Sequence, residues 1–140
     1  MIVLDTNVLS EQTKPRPSEA VMKWAASIPS AELFTTAITK AEMLIGLEIM
    51  PTGRKRIMLT SQIEHIFGSD FADRILPFDG RAAHALSILP LQRDRSGAPI
   101  MDADAMIAAI ANAHDATVAT RNIKDFQRYG VKIVNPWAAV

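Results

Sequence analysis

Short apolar runs alternate along this chain with longer stretches of helical periodicity. Ile2–Leu4 is a compact apolar run that predicts a first strand. Pro15 and Pro17 mark a turn. Ser18 then predicts a helix cap, with Val21, Trp24 and Ala25 sharing one helical face up to Pro29 and Ser30. "ELFTTAIT", rich in β-branched and aromatic residues, predicts a second strand. "TKAEMLIGLEIM" switches to helical spacing and closes at Pro51 and Gly53. "GRKRIMLTSQIEHIFG" predicts an amphipathic helix with Ile57, Ile63 and Ile66 among its apolar positions. "RILPFD" predicts a third strand, with Asp79 capping a helix through Ala82, Ala83 and Leu86 that should kink or break at Pro90. Ser96-Gly97-Ala98-Pro99 is a loop, and "IMDADAMIAAIANAH" an Ala-rich helix. "ATVAT" and "VKIV" predict two further strands around the turn and short helix of "RNIKDFQRYG", ahead of Asn135-Pro136-Trp137.

Strands alternating with helices predict an α/β fold, a mainly parallel sheet covered on both faces. At 140 residues, with no internal repeat, low-complexity segment or long linker, the chain is expected to form one domain over 1–140 with a sizeable core. Hydrophobic residues at 49% and charged residues at 21% are the composition of a globular protein. No apolar run has transmembrane length and no signal peptide is recognisable, so no membrane partner and a cytoplasmic location are expected. The absence of cysteine excludes disulfides and thiolate metal sites. A formal net charge of zero means that any nucleic-acid partner must be held by a local basic patch.

The informative residue is Asp5. A carboxylate at the end of an apolar strand needs compensation, from a helix cap, an Arg or a metal ion. Ligands of open α/β sheets bind beyond the carboxyl ends of the strands, and the acids fall there. Asp5 leaves the first strand, Glu42 follows the second, Asp104 with Asp102 opens the Ala-rich helix, and Asp125 follows the fourth. Each has an ordinary structural explanation taken singly. Thr39-x-x-Glu42 matches a capping box, Asp102 and Asp104 suit a helix dipole, and Asp125 a solvated helix start. Taken together, carboxylates gathered at one sheet edge repel unless a cation holds them. Oxygen-only ligands without Cys suit Mg²⁺ or Mn²⁺, whose remaining ligands are commonly water and substrate phosphate. His65, His84 and His114 lie in helical segments and are not assigned to the chemistry. Trp24, Met43, Leu47 and Met50 are expected in the core, and Gly46 either packs tightly within the monomer or admits another chain.

"LDTNVLSE", "ITKAEMLIGLE", "DADAMIAAIAN", "TVATRNIKDF" and "VNPW", in that order over nearly the whole chain, resemble a PIN-domain ribonuclease, most closely the VapC-type toxins of bacterial toxin–antitoxin pairs, including the FitB-like branch. The resemblance implies an α/β/α sandwich around a five-stranded sheet, and an endoribonuclease that hydrolyses RNA to 3′-hydroxyl and 5′-phosphate ends. It assigns catalytic roles to Asp5, Glu42, Asp104 and Asp125, with Asp5 and Asp104 most directly on Mg²⁺ or Mn²⁺ and Asp102 as second choice for the third position. Many relatives carry Asp where this chain has Asn122. The fourth acidic role therefore goes to Asp125, with Asn122 as polar neighbour, and a second metal position is in doubt. Asp125 or Glu42 would orient the attacking water. Thr6, Asn7 and Thr120 would support the cluster by hydrogen bonds, and Arg121 and Lys124 would contact RNA phosphates. The resemblance also implies a homodimer and a cognate antitoxin lying across the active-site groove, within an assembly that binds operator DNA through the antitoxin.

Two other classes of function stand beside this one. The chain could act as a regulatory subunit of an antitoxin-containing DNA-binding complex, with weak or no nuclease activity. Phosphotransfer with Asp5 as nucleophile would want a second Asp two residues on, where this chain has Asn7.

Overall fold

The structure is a computed structural model that describes residues 1–138; the last residues of the expected 1–140 domain lie outside that range. Its strands are β1 (Ile2–Leu4), β2 (Leu33–Thr36), β3 (Ile75–Leu76), β4 (Thr117–Ala119) and β5 (Lys132–Val134). They form a five-stranded sheet in the order β3-β2-β1-β4-β5. Every neighbouring pair is parallel, and β1 lies at the centre with Leu4 opposite Ala119 of β4. The helices are α1 (Thr6–Gln12), α2 (Glu19–Ser27), α3 (Ala37–Glu48), α4 (Arg54–His65), α5 (Gly80–Ser87), α6 (Ala103–Ala113) and α7 (Ile123–Arg128).

Side chains of successive strand residues point to opposite faces, and the core divides accordingly. Val3 and Val118 pack with α5, α6 and Phe126 of α7 on one face. Leu4, Ala119 and Leu33 pack on the other with α1, α2, α3 and α4 through Val8, Leu9, Val21, Met43, Leu47 and Ile63. This is the α/β/α sandwich expected from the alternation of elements. Ala105, Ala108, Ala109 and Ala111 are fully buried on α6, where small side chains let the helix approach sheet and neighbour closely. Met43 and Leu47 are buried and Trp24 packs against their cluster, as expected, while Met50 is half-buried. Among the described residues no helix is long and apolar enough to cross a membrane.

The structure departs from the sequence reading at several places, one of them the third strand, which is confined to Ile75–Leu76 because Pro77 has no N–H to continue the ladder. Helix α1 was not expected. Its seven residues carry no broad apolar stripe, and it exists because the Asp5 side chain accepts the Val8 N–H at 3.1 Å while Val8 and Leu9 are fully buried. The second strand is shorter than its β-branched composition predicts and ends at Thr36. Ile38 and Thr39 are β-branched, but the Thr36 hydroxyl accepts the Thr39 N–H at 3.1 Å and starts α3 at Ala37. Ile57 does not face the core: it is 72% exposed, while Ile63 and Ile66 are buried. Finally, α4 gives way to a wider π-turn over Ile66–Asp70 instead of continuing to Gly68 as regular helix. Elsewhere the helix before Pro90 breaks, as expected, and Asp79 caps it through the Ala82 N–H at 3.0 Å.

Thr36 is fully buried, so replacing its hydroxyl by a methyl leaves a buried helix donor without its partner. Thr36→Val is expected to lower unfolding free energy by about 1–2 kcal/mol, measured as a lower urea midpoint at unchanged slope. An unshifted midpoint would show that α3 does not depend on this cap.

Candidate active site

The chain leaves β1 toward β2 on one side and leaves β4 toward β5 on the other, so the crevice beyond the carboxyl ends of β1 and β4 is the topological switch point of the sheet. Asp5 and Thr120 are the first residues beyond those two strands. The Asp5 N–H donates to the Ala119 carbonyl at 3.1 Å, which extends the ladder by one rung. Across the crevice the Thr120 hydroxyl donates to Asp5 Oδ2 at 2.5 Å, while Oδ1 takes the Val8 N–H. The question posed by Asp5 is thus answered in part by a helix cap. Asp5 is 2% exposed. Burial raises its pKa, opposed by the Thr120, Val8 and Asn7 hydrogen bonds, and the Glu42 charge raises it further.

Thr120 also accepts the Asn122 N–H at 2.9 Å, which turns the chain so that the Asn122 side chain points back over the crevice. Its amide donates to Asp104 Oδ2 at 2.8 Å and to Asp125 Oδ2 at 2.7 Å. Asn122 occupies the cap position of α7 without capping it; its amide is spent on the two acids instead. Asp104, in the first turn of α6, has its pKa pushed up to about 6, first by burial and then by the charges of Asp102, Asp5 and Asp125. Asp102 is exposed and caps α6 by accepting the Ala105 N–H at 2.9 Å. The helix-end explanation therefore holds for Asp102, and Asp104 is the acid turned toward Asn122.

Glu42 enters from the other side. The capping box anticipated at Thr39 and Glu42 is not formed, because Thr36 is the cap and Thr39 lies fully buried inside α3. Glu42 sits in the second turn of α3, not the first, and Glu42 Oε1 accepts the Thr6 hydroxyl at 2.5 Å. Asn7 is exposed, and its contribution to Asp5 comes from its backbone N–H. Arg121 and Lys124 are both exposed beside the crevice residues. His65 pairs with Asp70 at 3.3 Å, His84 is exposed on α5 and His114 ends α6. Gly46 has open space where a Cβ would stand, so it is not a tight intramolecular packing point.

Two groups near the site carried no sequence signal that singled them out. Glu11 is buried at the end of the unanticipated α1, where it accepts Lys14 Nζ at 2.9 Å and the Ser18 N–H at 3.0 Å. The Lys14 bond holds its carboxyl below the usual range. Tyr129 packs edge-on to Phe126, with ring centres 6.5 Å apart, and burial and the Asp102 charge raise its pKa.

The donor set is chemically suited to a hard divalent ion: carboxylate oxygens, one amide and hydroxyls, with repulsion that a cation would relieve. Among the described residues, however, no three acidic or histidine side chains converge tightly enough to hold an ion between them. The arrangement fits an ion that touches one or two carboxylates and keeps water in its other positions, which is the usual Mg²⁺ habit.

Comparison with known proteins agrees with this architecture. The PIN domain family matches residues 2–132. The chain is 42% identical over 137 residues to VapC ribonuclease Y4jK of Sinorhizobium fredii, covering 98% of both chains. It is 39% identical to toxin FitB of Neisseria gonorrhoeae, covering 98% of this chain and 99% of the other. The solved structure of FitAB bound to an IR36 DNA fragment superposes with a TM-score of 0.86 at 38% identity, covering 100% of this chain and 98% of that one. The chain belongs to the PIN-domain family, on the branch of the VapC- and FitB-type toxins.

The electrostatics give a pH prediction. Asp104 binds its proton more tightly folded than unfolded, so its ionisation opposes folding. That penalty is absent below the ordinary pKa of 3.8, grows as pH rises to about 6, and is complete above it. In metal-free buffer Asp104→Asn is expected to raise Tm at pH 7.5 by about 3 °C, after discount for partial exposure, and by less at pH 4.5. A Tm gain that is larger at pH 4.5 would contradict this ordering of charges.

Proposed function

We propose that this chain is a Mg²⁺- or Mn²⁺-dependent endoribonuclease toxin, restrained by a cognate antitoxin. The observation that carries the reading is the placement of Asp5, Asp104, Asp125 and Glu42 around one switch-point crevice, joined by Thr120, Asn122 and Thr6. Relatives named as VapC ribonuclease and as a tRNA(fMet)-specific endonuclease support RNA as the substrate class. We also take residues 1–140 to be a single PIN domain.

Asp5 and Asp104 are the proposed metal ligands. A bound divalent ion supplies Lewis-acid stabilisation of phosphate charge and a more acidic water at neutral pH. The protein's own groups do the rest. Thr120 and the α1 backbone fix the Asp5 rotamer, so its oxygens need no reordering when substrate arrives. Asn122 ties Asp104 to Asp125 and leaves Asp125 able to orient a water as a hydrogen-bond acceptor. Thr6 holds Glu42, the other acid that can do so. Exposed Arg121 and Lys124 supply positive charge beside an otherwise acidic crevice, which a polyanion needs for approach.

Exposed apolar residues support the partner part of the reading. Leu44, Ile45 and Ile49 on and after α3, with Ile57 and Met58 on α4, leave apolar surface at 41% exposure or more beside open space at Gly46. Solved relatives are described as FitAB and VapBC complexes, some with DNA. We infer an antitoxin partner, homodimerisation, and operator binding through the antitoxin.

The test is cleavage of total RNA by purified, antitoxin-free protein with Mg²⁺ or Mn²⁺ and with EDTA. Asp5→Asn keeps a residue able to cap α1 while removing the charge. Metal-dependent cleavage is expected for wild type and a loss of about 100-fold for the variant. No cleavage by folded wild type with any metal would favour the regulatory, DNA-binding role, and equal cleavage by the variant would remove Asp5 from the chemistry.

A further inference from the structure

Three consecutive residues leave β4 and do different things. Thr120 holds Asp5 and Asn122 holds Asp104 and Asp125, whereas Arg121 between them turns outward. Its guanidinium carbon lies 4.9 Å from the centre of the Trp137 ring. The indole is itself fixed. It packs against the Leu4 and Val8 side of the core beside Val134, and its backbone N–H donates to Asn135 Oδ1 at 3.0 Å. The buried Glu11 carboxylate is not its partner: its oxygens are engaged by Lys14 and Ser18, and Arg121 is the least of the influences on its charge.

The contrast with other arginines is informative. Arg56, Arg74, Arg81 and Arg93 each spend guanidinium N–H groups on backbone carbonyls. Among the described residues the Arg121 guanidinium makes no hydrogen bond and no ion pair, so the Trp137 ring is the group it lies against while its donors remain unspent. A guanidinium in that state suits bidentate contact with a phosphate. We propose that Trp137 is a positioning residue for RNA binding: its indole face holds Arg121 at the rim of the acid crevice as the arm that grips a phosphate adjacent to the one being cleaved. This rests on the ribonuclease reading.

The experiment uses the full chain and a short single-stranded RNA. Cleavage gives KM and kcat, and binding is followed across salt concentrations on an Asp5→Asn background. Arg121→Gln is expected to raise KM about tenfold and to reduce the salt slope of log Kd by about 0.7, one single-strand phosphate. Trp137→Leu keeps apolar packing but removes the π face, and should raise KM about fivefold with kcat unchanged. Trp137→Phe should recover most of that loss, and Trp137→Leu should cost nothing further once Arg121 is Gln. The inference is overturned if Trp137→Leu leaves KM unchanged while wild type cleaves normally, or if it lowers kcat instead. It is also overturned if its loss persists in full beside Arg121→Gln, which would mean that the indole meets RNA bases itself or acts only through the fold. Wild type that neither binds nor cleaves RNA would overturn the ribonuclease reading and this inference together.

Discussion

The pair of hydrogen bonds on Asp5 is the constraint on which the site depends. One oxygen begins α1 by taking the Val8 N–H, and the other takes the Thr120 hydroxyl across the crevice. Because β1 is the central strand, this carboxylate ties together the point from which the chain turns to each half of the sheet. A buried carboxylate would otherwise be costly, and here both oxygens are engaged without any cationic side chain. The same bonds that stabilise the fold therefore leave the charge uncompensated. An acid that is structurally satisfied and still short of positive charge is suited to a divalent cation.

Asn122 makes the corresponding compromise on the other side. A carboxylate at that position would add a further charge beside Asp104, whose pKa is already pushed up to about 6 by burial and by Asp102, Asp5 and Asp125. An amide adds no charge and supplies donors to both acids, which offsets part of their mutual repulsion. The amide at this position is thus a change in how repulsion among the acids is managed.

Much of this was legible in the sequence because it depends on topology. Apolar runs mark strands, the alternation with helices predicts a parallel sheet, and acids that follow strands must gather at its carboxyl edge. That logic points to Asp5, Glu42, Asp104 with Asp102, and Asp125, whereas Thr6, Thr120 and Asn122 enter only through the resemblance to the PIN-domain family. It failed where local preference and tertiary packing disagree. Ile38 and Thr39 look like strand residues, but a buried Thr36 hydroxyl decides for helix. The Thr39 and Glu42 spacing looks like a capping box, but it begins three residues after the true cap. The stacking of Arg121 on Trp137 could not be read from sequence, since the two are sixteen residues apart and meet only in the fold.

The remaining question is how a small sheet tolerates so many acids at one edge. Part of the answer is where each is carried. Asp104 and Asp125 lie in the first turns of α6 and α7, where exposed N–H groups and the positive end of the helix dipole favour negative charge. Asp5 sits at the cap of α1 for the same reason. The parallel sheet favours this, because β1, β2, β3 and β4 are each followed by a helix start at that edge, and α6 begins there as it runs back to lead into β4. A fold that brings helix N-termini together can therefore collect carboxylates with little dedicated cationic compensation.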